Sequence, residues 1–382
     1  LTTLVHPTQT ELFMTTPIFA IAPLRYDPRF EVLEEGEAET TAGMLESLTT
    51  ISSITFKHSG HATRSVHAKS HGLLTGELTV EGDLPPAYAQ GLFAVAASYP
   101  VVMRLSTTPG DVLDDKVSTP RGLGLKVIGV AGARVDGSEA DATQDFVMVN
   151  GPVFLAPTAK KFLGSLKPLV LTTDRVPNLK RAFSAVLRGT EAVIEAVGGE
   201  SATLKAMGGH PETNPLGETY FSQAPILFGD YMAKVSLVPV APELTALTGQ
   251  HVDLSGTPDG LRRAVEAHFA AHGGEWELRV QLCTDIEKMP IEDSSVEWLE
   301  EDSPWVTVAR VRAQPQAGWS EALSKAVDDG MQFNPWHALA AHRPIGSIMR
   351  VRKAAYAMSK RFRFERNGSV MAEPTDLSSI AP

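Results

Sequence analysis

The fold turns on GLLTGELTV, Gly72–Val80, which alternates around Leu74, Glu77 and Thr79 with the two-residue period of a strand. Runs of the same character follow at YPVVMRLST (Tyr99–Thr107), GLGLKVIGV (Gly122–Val130) and DFVMVNGPVF (Asp145–Phe154). Residues 158–197 then read as helical, with lysines and arginines set between leucines, alanines and valines. Strand-like runs return at YMAKVSLVPV (Tyr231–Val240), WELRVQLCTD (Trp276–Asp285) and WVTVARVRAQ (Trp305–Gln314). Between the first two of these, TPDGLRRAVEAHFAAHGG predicts a helix capped by Thr257 and closed on glycine. Seven or so β-runs, without the regular strand–helix alternation of a parallel sheet, predict an α+β chain. Its centre is an antiparallel β-barrel with inserted helices and a C-terminal helical segment. Residues 1–50 read as an N-terminal arm, polar and partly helical over 28–50. A single domain is expected over 51–382, with the barrel over about 51–312 and a helical part over about 313–366. The clearest helix is GSIMRVRKAAYAMSKRFRFERNG (Gly346–Gly368), where Ser347 is placed to cap and nothing breaks the helix before Gly368.

The chain has 382 residues, of which 43% are hydrophobic and 21% charged, an ordinary globular composition with enough length for a large core. Its net charge of -11 argues against a broad nucleic-acid interface and against an anionic membrane surface, although a local arginine cluster could still hold an anion. Cys283 is the only cysteine, which excludes an intrachain disulfide and a multi-cysteine metal site. No secretory signal is evident before Tyr26, and PIFAIAPL (17–24) is too short and too proline-bounded to span a bilayer. A cytoplasmic location is therefore expected.

Upstream of the first strand lies RSVHAKSHG, Arg64–Gly72, and His58, His61, His67 and His71 fall within fourteen residues of a chain with only 11 histidines. The His67–His71 spacing would suit two zinc ligands on one helix face, but Gly60, Thr63, Val66 and Gly72 oppose a helix and no third ligand is obvious. In RGLGLKVIG, Val127 stands where a dinucleotide fingerprint needs its third glycine, so that reading fails. Arg352 and Tyr356 are four apart and share a helix face, where a fixed cation favours the phenolate, a hard ligand suited to ferric iron. The same pair is also what an ordinary amphipathic helix would present.

Taken together, these segments resemble the haem catalase superfamily, and most closely its small-subunit catalase-related peroxidases. RSVHAKSHG looks like the distal motif, and VMRLSTTPG with TPRGLGLKV like the strand pair bearing a second arginine, a serine and a Pro-Arg-Gly turn. DFVMVNGPVF looks like the strand of the distal asparagine and RVRKAAY like the proximal motif, all in the family's order from residue 64 to 356. The resemblance implies His67 as the acid–base catalyst, Ser106 as the residue orienting its ring, and Asn150 as a hydrogen-bond partner for peroxide. It implies Tyr356 as the axial iron ligand and Arg352 as the residue holding it as phenolate. Arg64 and Arg104 would pair with haem propionates, and Phe154 and Phe162 would lie over the porphyrin or its channel. His58, His61 and His71 would be bystanders. Two departures stand out. The family's strand carries two consecutive asparagines where this chain has Val149-Asn150, and AKS follows the histidine where Ala-Lys-Gly is usual.

The activity so implied is a haem-dependent peroxidase, with ferric haem b, that uses hydrogen peroxide to oxidise a small organic reductant and retains some catalase activity. The chain ends soon after the proximal helix, so no bound NADPH is expected; a homo-oligomer, a dimer first, is. Rearrangement of fatty-acid hydroperoxides, as in allene oxide synthases, is the second enzymatic reading. A non-catalytic haem carrier or sensor is the third, and a retained His–Ser–Asn set argues against it.

Overall fold

The computed structural model of the chain describes residues 22–172 and 210–380. Residues 173–197 of the helical stretch expected from sequence lie outside them, as do residues 1–21 of the arm. In chain order the main elements are α1 (Glu37–Ser59), β1 (Ser70–Val80), β2 (Ser98–Thr107), β3 (Arg121–Ile128), β4 (Thr143–Val149) and α2 (Ala159–Thr172). There follow β5 (Tyr220–Phe221), β6 (Ile226–Phe228), β7 (Tyr231–Pro239), α3 (Pro242–Thr245), α4 (Gly260–Phe269), β8 (Gly274–Leu282) and β9 (Val306–Ala313). A short α5 (Glu321–Ser324) runs into a wide π turn at Lys325–Asp329, and α6 (Ser347–Asn367) completes the set.

The strands pair in the order β5-β4-β3-β2-β1-β9-β8-β7, and β5 returns to β7, so eight strands close a barrel with β6 as an extra pairing on β7. Every pairing is antiparallel. The antiparallel barrel with helices expected from the period-two runs is the architecture found. Closure satisfies the backbone groups that an open sheet would leave at its edges.

Alternation gives each strand two unlike faces. Val101, Met103 and Leu105 on β2, Leu123, Leu125 and Val127 on β3, and Phe146 and Met148 on β4 are buried in one continuous apolar core. The residues between them, Arg104 and Ser106, Gly122, Gly124 and Lys126, Asp145 and Val147, form the opposite face. That face is covered by His67 at Gly122, by Phe333 at Gly124, and by His337 and Glu373 at the Lys126–Asp145 pair.

Two helix starts differ from expectation. Thr257 does not cap α4; the helix begins at Gly260, and the Thr257 hydroxyl accepts from the Asp259 N–H at 3.2 Å in the turn before it. Ser347 is already inside α6, which Gly346 enters at φ 86, and the Ser347 hydroxyl instead accepts the Ala159 N–H that opens α2. The free N–H of Ser347 is met by Glu292 at 2.8 Å. Arg350 then binds both Glu37 of α1 and Glu292, so α6 is tied to two other parts of the fold along its first turn. No helix among the described residues is long and apolar enough to cross a membrane.

Candidate active site

His67 lies in the irregular segment just before β1 and takes φ 55, a left-handed conformation that a non-glycine residue rarely adopts. Its backbone is held on both sides. The His67 N–H donates to Thr108 O at 2.8 Å, and Arg104 Nη2 donates to His67 O at 2.9 Å and Ala68 O at 3.1 Å. Strain fixed by surrounding bonds in this way points to a conformation kept for use. The ring lies on Gly122, where an added Cβ would be 2.4 Å from Nδ1, so only glycine lets the imidazole come this close to the sheet.

His67 Nδ1 is 3.1 Å from Ser106 Oγ, which in turn reaches Gly122 O at 3.4 Å. With its own proton directed at that carbonyl, the hydroxyl accepts Nδ1–H, which leaves the lone pair of the imidazole on Nε2. Nε2 has no hydrogen-bond partner among the described residues. Burial, then the positive charges of Arg104, Arg352 and Arg64, push the His67 pKa down to about 3. The ring is therefore a neutral base at any ordinary pH.

α6 carries Arg352 and Tyr356, and the Arg352 charge reaches His67. The Arg352 guanidinium meets only the Met349 sulfur at 3.7 Å and the face of Phe154, 5.5 Å from the ring centre. No carboxylate pairs with it among the described residues, and burial lowers its pKa while Tyr356 alone offsets this. Burial raises the Tyr356 pKa, and although Arg352, Arg64 and Arg104 oppose this, it stays above the usual tyrosine value. The phenol oxygen has no hydrogen-bond partner among the described residues either. Phe154 and Phe162 meet edge to face with centroids 4.9 Å apart, both half-buried.

Arg64 and Arg104 do come together, on a residue that the sequence reading missed. Asp328 accepts from Arg64 Nη1 at 3.1 Å and from Arg104 Nε at 2.6 Å, with Ser70 and Ser324 hydroxyls on its other oxygen. Burial raises its pKa, but the two arginines outweigh this and hold it at about 2. A third guanidinium, Arg363, joins the cluster through Asp328 O at 2.5 Å, and its buried Nε lacks a partner. Arg363 is seven residues beyond Tyr356, two turns along the same helix face, and that spacing was a readable signal. Asp328 carried none.

Asn150 is a correction. Its Oδ1 accepts the Arg121 N–H at 2.7 Å and its Nδ2 lies 2.9 Å from His210 Nε2, so the amide is engaged away from His67. Val149, opposite Gly122 in the ladder, shares the face of His67; a shift of one residue reverses the side chain. Among the described residues, His58, His61 and His71 belong to no group spaced for a metal ion. His71 is fully buried in β1 with Nε2 3.1 Å from Thr107 Oγ1, and His61 pairs with Asp329 at the surface. His71 is thus a core residue rather than an idle neighbour.

No protein-family model matches the sequence, and no curated protein does. Solved structures do. Catalase A from Saccharomyces cerevisiae is 16% identical with a TM-score of 0.56, over 81% of this chain and 62% of that one. A fungal catalase is 18% identical with a TM-score of 0.57, over 93% of this chain and 67% of that one. A bacterial catalase is 17% identical with a TM-score of 0.54, over 81% of this chain and 59% of that one. The chain thus spans roughly three-fifths to two-thirds of the length of those structures, and the barrel has the catalase fold.

Proposed function

We propose that this catalase-fold chain is a haem-dependent peroxidase, which oxidises small organic donors with a peroxide and has weaker catalase activity. The observation that carries the reading is the pairing of two unsatisfied groups. His67 offers a neutral, unpartnered Nε2, and Tyr356 offers an unpartnered phenol oxygen beside a buried guanidinium that lacks a counter-ion. A phenolate at Tyr356 bound to a ferric ion would satisfy the phenol oxygen and give Arg352 its counter-charge, while Nε2 of His67 stays open for a substrate proton. Arg64, Arg104 and Arg363 hold more positive charge than Asp328 neutralises, which fits the two carboxylates of a haem.

In this reading Tyr356 holds the iron, Arg352 keeps the phenol oxygen anionic, and the arginine cluster anchors the propionates. Haem, when bound, supplies the electrons that split the O–O bond. His67 Nε2 takes a proton from the nearer peroxide oxygen and returns it to the far one, so that the departing group leaves neutral. Ser106 holds the tautomer that makes this two-way transfer work. Phe154 and Phe162 line the approach by which a flat phenol or amine returns electrons.

The test is oxidation of a phenolic dye with hydrogen peroxide by the haem-loaded protein, alongside His67→Ala. The variant is expected to keep haem and to lose roughly 10²–10⁴-fold in its rate with peroxide, the usual worth of a general acid–base. An undiminished rate would remove His67 from the chemistry.

A further inference from the structure

Tyr356 is held from outside its own helix. Gln332, a buried residue, donates from Nε2 to Tyr356 O at 2.7 Å. A helical carbonyl keeps a second lone pair after bonding within its own turn, so this contact adds to α6 rather than breaking it. The Gln332 N–H in turn donates to Glu373 Oε1 at 3.3 Å, and Glu373 Oε2 meets Lys126 Nζ of β3 at 2.6 Å. Lys126 also holds both carboxylate oxygens of Asp145 on β4 at 2.8 Å. The backbone that carries Gln332 is thus tied to the sheet through charge-assisted bonds, which are the strong kind.

The next residue completes the link. Phe333 lies on Gly124, where an added Cβ would be 2.6 Å from its Cδ1. Gly124 is two residues from Gly122, on which the His67 ring lies, and residues two apart on a strand share a face. One dipeptide, Gln332-Phe333, therefore joins the strand that supports His67 to the backbone of Tyr356. Four residues earlier the same segment meets α6 again, where Arg363 Nη1 donates to Asp328 O at 2.5 Å. The tail beyond α6 packs on the segment as well. The Ala372 N–H donates to Gly330 O at 3.0 Å, and Ile380 is buried with Val327, Met331 and Phe333.

Given Tyr356 as the iron ligand of the proposed function, a fixed offset between it and His67 is what the chemistry needs, since a misplacement near 1 Å can cost about 10²-fold in rate. We propose that Gln332 is a positioning residue that sets Tyr356 against β3, and that Glu373 of the C-terminal tail acts on Tyr356 through it.

The experiment replaces the 6 tyrosines of the full chain with fluorotyrosine and records fluorine NMR before haem is added. The same preparations are then loaded with ferric haem for the phenolate-to-iron band and the rate with hydrogen peroxide. The signal missing from Tyr356→Phe identifies Tyr356. Gln332→Met keeps the length of the side chain and removes its donor. It should move or broaden the Tyr356 signal, shift the phenolate-to-iron band, and slow reaction with peroxide on the order of tenfold, part of what a full 1 Å displacement costs. Glu373→Ala, one bond further back, should move the same signal in the same direction. Gln332→Asn keeps an amide too short to reach and serves if the methionine variant does not fold. A Tyr356 signal unmoved by the Gln332 variant overturns the proposal, even if thermal stability falls, because a merely structural role would do that much. A signal unmoved by Glu373→Ala overturns the part assigned to the tail. If wild type takes up no haem, the haem reading falls, and the fluorine signal still decides the role of Gln332.

Discussion

At His67 a neutral ring is set by its surroundings, and this has a consequence for stability. The folded chain titrates the ring at about 3, whereas an unfolded histidine titrates near 6.5. Between those values the unfolded state binds more protons, so the contribution is complete above pH 6.5 and is lost as pH falls toward 3. His342, buried and pushed down to about 4, acts in the same direction. Thermal midpoints measured from pH 7 to 4 should fall, and His67→Gln should flatten the decline by removing one of the titrating groups. A steeper decline in that variant would contradict the assignment. Peroxide reactivity should likewise show no inflection from His67 between pH 5 and 8. The pairing of His67 with Ser106 was legible in the sequence because an arginine three residues before the histidine and a serine on a neighbouring strand belong to a recognisable pattern. Asn150 was misplaced because a pattern in one dimension does not say which face a strand's last residue takes.

Among the elements, β3 and α6 do most to build the site. β3 lies flat at Gly122 so that an imidazole can rest on it, and Gly124 does the same for Phe333. Gly122→Ala would force a methyl into the His67 ring, and the ring is anchored through a strained backbone that has little room to yield. The variant is expected to fold and bind haem, yet to react with peroxide on the order of 10²-fold more slowly, the usual effect of a displacement near 1 Å. Stopped-flow mixing with peroxide measures this, and a rate within twofold of wild type would show that His67 is not held by that contact. Both glycines were visible in sequence, as a failed nucleotide motif and within the TPRGLGLKV strand. Their use appears once the neighbouring strands are in register. The strands themselves were readable because their two faces differ, and α6 because it runs for six turns without a breaker. The cap positions were not, since Ser347 and Glu292 serve helices that only the tertiary fold brings together.

Across the whole molecule, the face of β2–β4 that holds Ser106 and Gly122 also holds, beyond the Phe333 ring on Gly124, a buried ionic cluster. There Lys126 Nζ lies 2.8 Å from Asp145 and 2.6 Å from Glu373, with His337 Nδ1 3.2 Å from Asp145. Asp145, His337 and Glu373 are the only group of described residues spaced for a metal ion, and the lysine already supplies the cation. In sequence, Lys126 looks like an ordinary outward residue of an amphipathic strand. It is buried because Phe333 and the segment after α6 fold over it, contacts made more than 200 residues away. Glu373 and Asp328 were invisible to sequence reading for the same reason. The central proposal is that Tyr356 on α6 would hold the iron of a haem. The most direct measurement is the absorption spectrum of the protein titrated with ferric haem, wild type beside Tyr356→Phe. Wild type should take up one haem per chain and show a phenolate-to-iron band that the variant lacks. Superimposable spectra from the two proteins, or no saturable uptake by wild type, would contradict the claim.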